Sequence, residues 1–141
     1  MADVPLYRRD FKTLAELRAD EARVLIASGN QQGAYYLAGY AIECALKACI
    51  ARKTKRFQFP PKTESVREIY SHKLNALVSV AGLDAELKKE IDTNTAFGTN
   101  WITVKEWTEE SRYKTSGLNG KDMYNAVMGP DGVLPWIKQR W

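Results

Sequence analysis

Glu43 and Lys47 stand four residues apart inside the most apolar run of the chain, Ala34 to Ile50. Carboxylate first and ammonium second, at that spacing, is the favourable order for an ion pair along one helix face. Exposed, such a pair adds little to stability. Partly buried, each charge needs the other to offset its desolvation. Two readings stay open: a stabilising pair on the solvent face, or a polar groove along the helix, flanked by Tyr40, that could hold a ligand. Farther on, Arg112-Tyr113 could bind an anion by charge and phenol hydroxyl, or could pin its loop onto Glu43. Cys44 and Cys49 sit five residues apart on the same expected helix, turned about 140° from one another, so they cannot form a disulfide with each other. Neither fits a metal-ligand pattern, and the one histidine, His72, is far along the chain. No metal or cofactor is expected, and the cysteines read as small buried hydrophobes in a reducing compartment.

The remaining chemistry-bearing residues are less specific. Lys53, Lys55 and Arg56 with Phe57 and Phe59 form the best basic-aromatic cluster, which reads as a solvated loop. Trp101, Trp107, Trp136 and Trp141 read as core and interface, although exposed aromatics could stack on RNA bases. A formal net charge of +4 over 141 residues is compatible with a nucleic-acid partner and equally with an ordinary soluble protein. With 45% hydrophobic and 27% charged residues the chain is expected to fold as one domain over 1–141, with a core that needs no metal or disulfide. The N-terminal segment lacks the apolar run of a signal peptide, and Ala34 to Ile50 falls short of the roughly 20 residues a membrane span needs. A cytoplasmic location with no membrane partner is the expectation.

The elements that must position these residues are all helical. Thr13-Leu-Ala-Glu16 has the form of a capping box, which predicts a first helix over 14–28, ended by Gly29-Asn30. The second helix, Gln31 to Lys53, is apolar nearly all round, so other helices or a partner chain must cover it. Gly39, with Ala38 and Ala41, would let a neighbouring backbone come close. Pro60 and Pro61 fall in the longest loop, Thr54 to Lys62. Ser65-Val-Arg-Glu68 is a second capping box, and Val66, Ile69, Tyr70, Leu74, Leu77, Val78 and Ala81 then share a helical face up to Gly82. A fourth segment runs from Ala85 to Trp107 with a weak point at Gly98. A last helical region, Met123 to Ile137, is interrupted at Gly129-Pro130. No alternating pattern of useful length exists, so no sheet is predicted.

The run Gly33-Ala-Tyr-Tyr-Leu-Ala-Gly-Tyr-Ala-Ile-Glu-Cys-Ala-Leu-Lys-Ala48 resembles the signature helix of the HEPN domain family, small prokaryotic helical proteins of toxin–antitoxin and defence systems. His72-Lys-Leu-Asn-Ala-Leu77 agrees in order and spacing. So do Trp101, Val104, Trp107, Arg112 and Tyr113, similar to the family's tryptophan-rich segment, and Gly132-Val-Leu-Pro-Trp-Ile-Lys138. The resemblance implies an all-α fold, an up-and-down bundle of four to five helices, commonly a homodimer, with a nucleotidyltransferase as a plausible partner. Catalytic relatives are metal-independent ribonucleases that use an arginine, four to six residues, then a histidine. There the histidine moves the proton of the ribose 2′-hydroxyl or leaving oxygen while the arginine holds the phosphate.

Arg67-Glu-Ile-Tyr-Ser-His72 has that form. On one helix from Val66 to Ala81 the two side chains would point about 140° apart and could not grip one phosphate. With Ser71 as an N-cap instead, His72 would sit in a first turn whose dipole favours a neutral ring, and Arg67 would be on a loop, free to approach it. The leading reading is a binding module that holds a nucleotide, an RNA segment or a partner protein through Tyr40, Glu43, Lys47, Arg112 and Tyr113. The alternative is a toxin endoribonuclease using Arg67 and His72. A structural adaptor without a ligand is the third.

Overall fold

The first helix starts earlier than its Thr13 signal predicts. The carboxylate of Asp10 accepts a hydrogen bond from the Tyr7 amide at 2.8 Å, which satisfies a donor that the helix start would otherwise orphan. The Thr13 hydroxyl bonds back to the Arg9 carbonyl inside the helix instead of capping it. Helix α1 therefore spans Arg8–Ala27. Gly29, at φ 79°, turns the chain into α2, Gln31–Arg52. This computed structural model describes residues 6–53, 58–59 and 70–141.

The remaining helices are α3 (Leu74–Val80), α4 (Asp84–Thr93), α5 (Thr95–Lys105), α6 (Gly120–Met128) and α7 (Val133–Lys138), with a 3₁₀ turn at Glu109–Tyr113 between α5 and α6. The fold is all-α, as expected, and three further details differ from the sequence expectation. A two-residue antiparallel pairing, β1 (Leu6–Tyr7) with β2 (Gln58–Phe59), joins Leu6 to Phe59 and Tyr7 to Gln58. The expected helix from Val66 to Ala81 is not continuous: Tyr70 is in a turn, residues 71–73 are non-helical, and α3 starts only at Leu74. The second capping box, at 65–68, lies outside the described residues. The break in the fourth segment falls at Asn94, where the side chain accepts from the Phe97 amide at 3.1 Å and caps α5. Gly98 lies inside α5, close to Ile91 of α4. A short capping side chain stops a helix by competing for its amides, a stronger signal here than a glycine whose position simply permits close packing.

Helix α2 is the axis of the bundle. Every residue from Ala41 to Ala51 on it is buried. The cover comes from the same chain: α1, α3, α6, α7 and the 3₁₀ turn all pack on it. Its all-round apolarity is thus explained without a second chain. Ala15, Ala19 and Ala22 form one buried stripe of α1, and Ala38, Ala41, Ala45 and Ala48 are fully buried on α2, so small side chains let the two longest helices approach. Gln31 and Gln32 open α2 and fasten the later chain to it. The Gln32 amide bridges the Lys114 carbonyl and the Leu118 amide, and the Gln31 side chain accepts from the Lys121 amide. Trp101, Trp107 and Trp136 are buried in the core. Both cysteines are free and buried, and burial pushes the Cys44 thiol to about 12. Among the described residues, no helix is long and apolar enough to cross a membrane.

Candidate functional site

Tyr36, Tyr40, Glu43 and Lys47 recur at intervals of four, three and four, which places them on one stripe of α2. The upper part of the stripe is aromatic. Tyr36 stacks on Tyr40 with centroids 5.8 Å apart, and on Trp107 at 6.0 Å. The Trp107 indole N–H donates to the Tyr36 carbonyl at 3.2 Å. Gly39 makes this possible. A Cβ there would stand 2.1 Å from the indole Cδ1, so the close approach that the sequence suggests is made by a tryptophan ring and not by a backbone.

The lower part is ionic and buried. Glu43 is 2% exposed and Lys47 is 8% exposed, and their side chains meet at 3.1 Å. The reading of this pair as a stabilising pair on the solvent face is therefore replaced by a buried pair. The other Glu43 oxygen, Oε1, is 2.9 Å from His72 Nδ1. On the far side of the ring, His72 Nε2 is 2.9 Å from Glu109 Oε2. Each ring nitrogen faces a carboxylate oxygen, and which of the two donates depends on the tautomer. His72 thus bridges α2 to the 3₁₀ turn from the extended segment that precedes α3. Among the described residues, no three His, Cys, Asp or Glu side chains converge as metal ligands.

The same turn carries Arg112 and Tyr113. Both are exposed, Tyr113 to 72%, and the Arg112 guanidinium lies 4.8 Å from the Tyr113 ring centroid. Hydrogen bonds to Tyr113 and then to Tyr36 raise the Arg112 pKa above the usual arginine range. Arg112 therefore faces the aromatic end of the stripe. The two Glu43 oxygens meet Lys47 and His72, so the Arg112–Glu43 pin expected from sequence gives way to an Arg112–Tyr36 contact. Burial, followed by the charge neighbourhood of Cys44 and Glu43, pushes the half-buried Tyr40 phenol to about 12.

Of the residues singled out from sequence, the structure gathers Tyr40, Glu43, Lys47, His72, Arg112 and Tyr113 around one face of α2 and one turn. Arg67 lies outside the described residues. Two members of the cluster were missed. Glu109 closes the bridge through His72, and Tyr36 joins Trp107, Tyr40 and Arg112. The spacing of Tyr36 from Tyr40 and Glu43 was a usable signal for the second. Nothing local marked Glu109, because its role depends on where the chain after α5 returns.

A family model described as the HEPN domain matches residues 9–124. The match takes in α1 to most of α6 and every residue of the cluster. No curated protein and no solved structure matches the chain. The model spans well over half of the sequence and takes in the whole of the buried axis α2, and the fold is all-α: the chain belongs to the HEPN domain family.

Proposed function

We propose that this HEPN-family chain is a binding module for a nucleotide or an RNA segment, engaged through Arg112 and Tyr113, and that His72 organises the site without cutting RNA. The observation that carries the reading is the bridge from Glu43 through His72 to Glu109. A general base needs a free lone pair beside the hydroxyl it deprotonates, and both ring nitrogens of His72 face carboxylates instead. Those carboxylates also repel a phosphate at the ring. Among the described residues, the groups that raise the Arg112 pKa are the phenols of Tyr113 and Tyr36, not a carboxylate. Arg112 presents planar N–H donors suited to phosphate, and the Tyr113 ring beside it offers a face for a base. Tyr40, Glu43 and Lys47 then hold α2 and the turn in register from below. A partner protein on this face is the competing occupant of the same surface.

The reading is tested by titrating a fluorescent single-stranded oligoribonucleotide, and separately a labelled nucleotide, into the protein. Arg112→Gln is expected to weaken binding about tenfold, the worth of one charge-assisted contact, with the helical content unchanged. Equal affinity in wild type and variant would remove Arg112 from the ligand.

A further inference from the structure

A second charged cluster lies at the other end of α2. Arg52 and Lys53, the Gly82 turn after α3, Glu86 of α4 and Arg140 beyond α7 line an open cavity of about 500 Å³, with Cys49 in its wall. The size is within the range of small-molecule sites. Arg140 is held in place. Its Nε donates to Glu86 at 2.7 Å, its Nη1 donates to the Trp136 carbonyl at 2.7 Å, and its guanidinium carbon lies 3.9 Å from the Trp136 ring centroid. Those bonds use two of its five N–H donors. Arg52 donates from Nη1 to the Arg140 carbonyl at 3.0 Å, which draws two guanidinium groups to the same rim. The Lys53 ammonium lies over Gly82, 2.6 Å from where a Cβ would be, and Gly82 holds φ 73°, so the turn leaves that space to the ammonium.

One cation at this place complements the carbonyl end of α2. Among the described residues that line the cavity, three cations stand against one carboxylate, Glu86, and that excess does not follow from the helix end. The same charges bear on Cys49 in the cavity wall. Burial pushes its thiol to about 11, and Arg52, Arg140 and Arg8 all act against that rise, so their positive charge reaches into the wall of the cavity. We infer that this cavity binds the phosphate or pyrophosphate group of a small anionic ligand, with Arg52, Lys53 and Arg140 as its donors. Two unmatched positive charges suit a doubly charged oxyanion, and the guanidinium N–H groups supply the planar donors such a group accepts. The inference does not depend on the ligand proposed for Arg112.

Calorimetric titration of the full chain with inorganic pyrophosphate, at low constant ionic strength in a buffer without phosphate, tests it. One saturable site per chain is expected. Arg52→Gln combined with Lys53→Gln is expected to weaken it at least tenfold, while Lys105→Gln, which replaces an exposed cation outside the cavity lining, leaves it unchanged. Both replaced side chains are exposed, so circular dichroism should show an intact fold. Competition by adenosine diphosphate that is tighter than pyrophosphate itself would assign the group to a nucleotide, and equal competition to the bare anion; either outcome supports the site. Absence of saturable binding, wild-type affinity in the double variant, or loss in Lys105→Gln in its place would overturn the inference.

Discussion

Glu43→Leu is expected to destabilise the protein by about 3–5 kcal/mol, the range seen when one partner of a buried ion pair is removed. The reason is what stays behind. Lys47 remains buried next to its former partner's position, and His72 loses the carboxylate that faces its Nδ1. The double variant Glu43→Leu with Lys47→Met should recover much of the loss, because replacing both partners of the buried pair by apolar groups of similar volume removes both desolvation costs together. Urea denaturation of the wild type, the single variant and the double variant measures both effects. A single variant within 1 kcal/mol of wild type, on the scale of an exposed pair, would mean that Lys47 reaches water when its partner goes.

Trp107→Ala is expected to cost a similar amount, about 3–5 kcal/mol, from a buried indole lost and a cavity left. Trp107 is 1% exposed, stacks on Tyr36 and donates to its carbonyl, so little of the surrounding structure is free to close the void. It also stands just before the 3₁₀ turn, and so the variant should loosen Glu109 and Arg112 as well as the core. Gly39→Ala probes the same contact from the other side. Alanine improves the helix by about 1 kcal/mol. Its Cβ nevertheless meets a rigid ring at 2.1 Å, so the net effect should be a lower melting temperature. A rise in melting temperature would show that the indole can move aside.

The helical class and the central role of α2 were legible because they rest on local signals: an apolar run without alternation, and Gly29-Asn30 at its start. The family signature lies on the same helix, so fold and resemblance supported one another. Element boundaries were less legible where two local signals competed. Tyr7 and Asp10 start α1 ahead of Thr13, and Asn94 stops α4 ahead of Gly98. The site was partly legible. The i, i+4 order of Glu43 and Lys47 marked a pair, but its burial depends on α1, α3 and the 3₁₀ turn closing around α2, which no local pattern states. The partner of Glu43 beyond Lys47 was also hidden. His72 reaches it from 29 residues away, and Glu109 completes the bridge from farther still.

On the proposed reading, His72 held between Glu43 and Glu109 organises the surface and does not cut RNA. The direct test is incubation of the purified protein with a single-stranded RNA in EDTA, followed by separation on a denaturing gel. The RNA is expected to be recovered intact at protein concentrations that retard it on a native gel. Cleavage that disappears in both His72→Ala and Arg67→Ala would contradict the account and identify the chain as a ribonuclease.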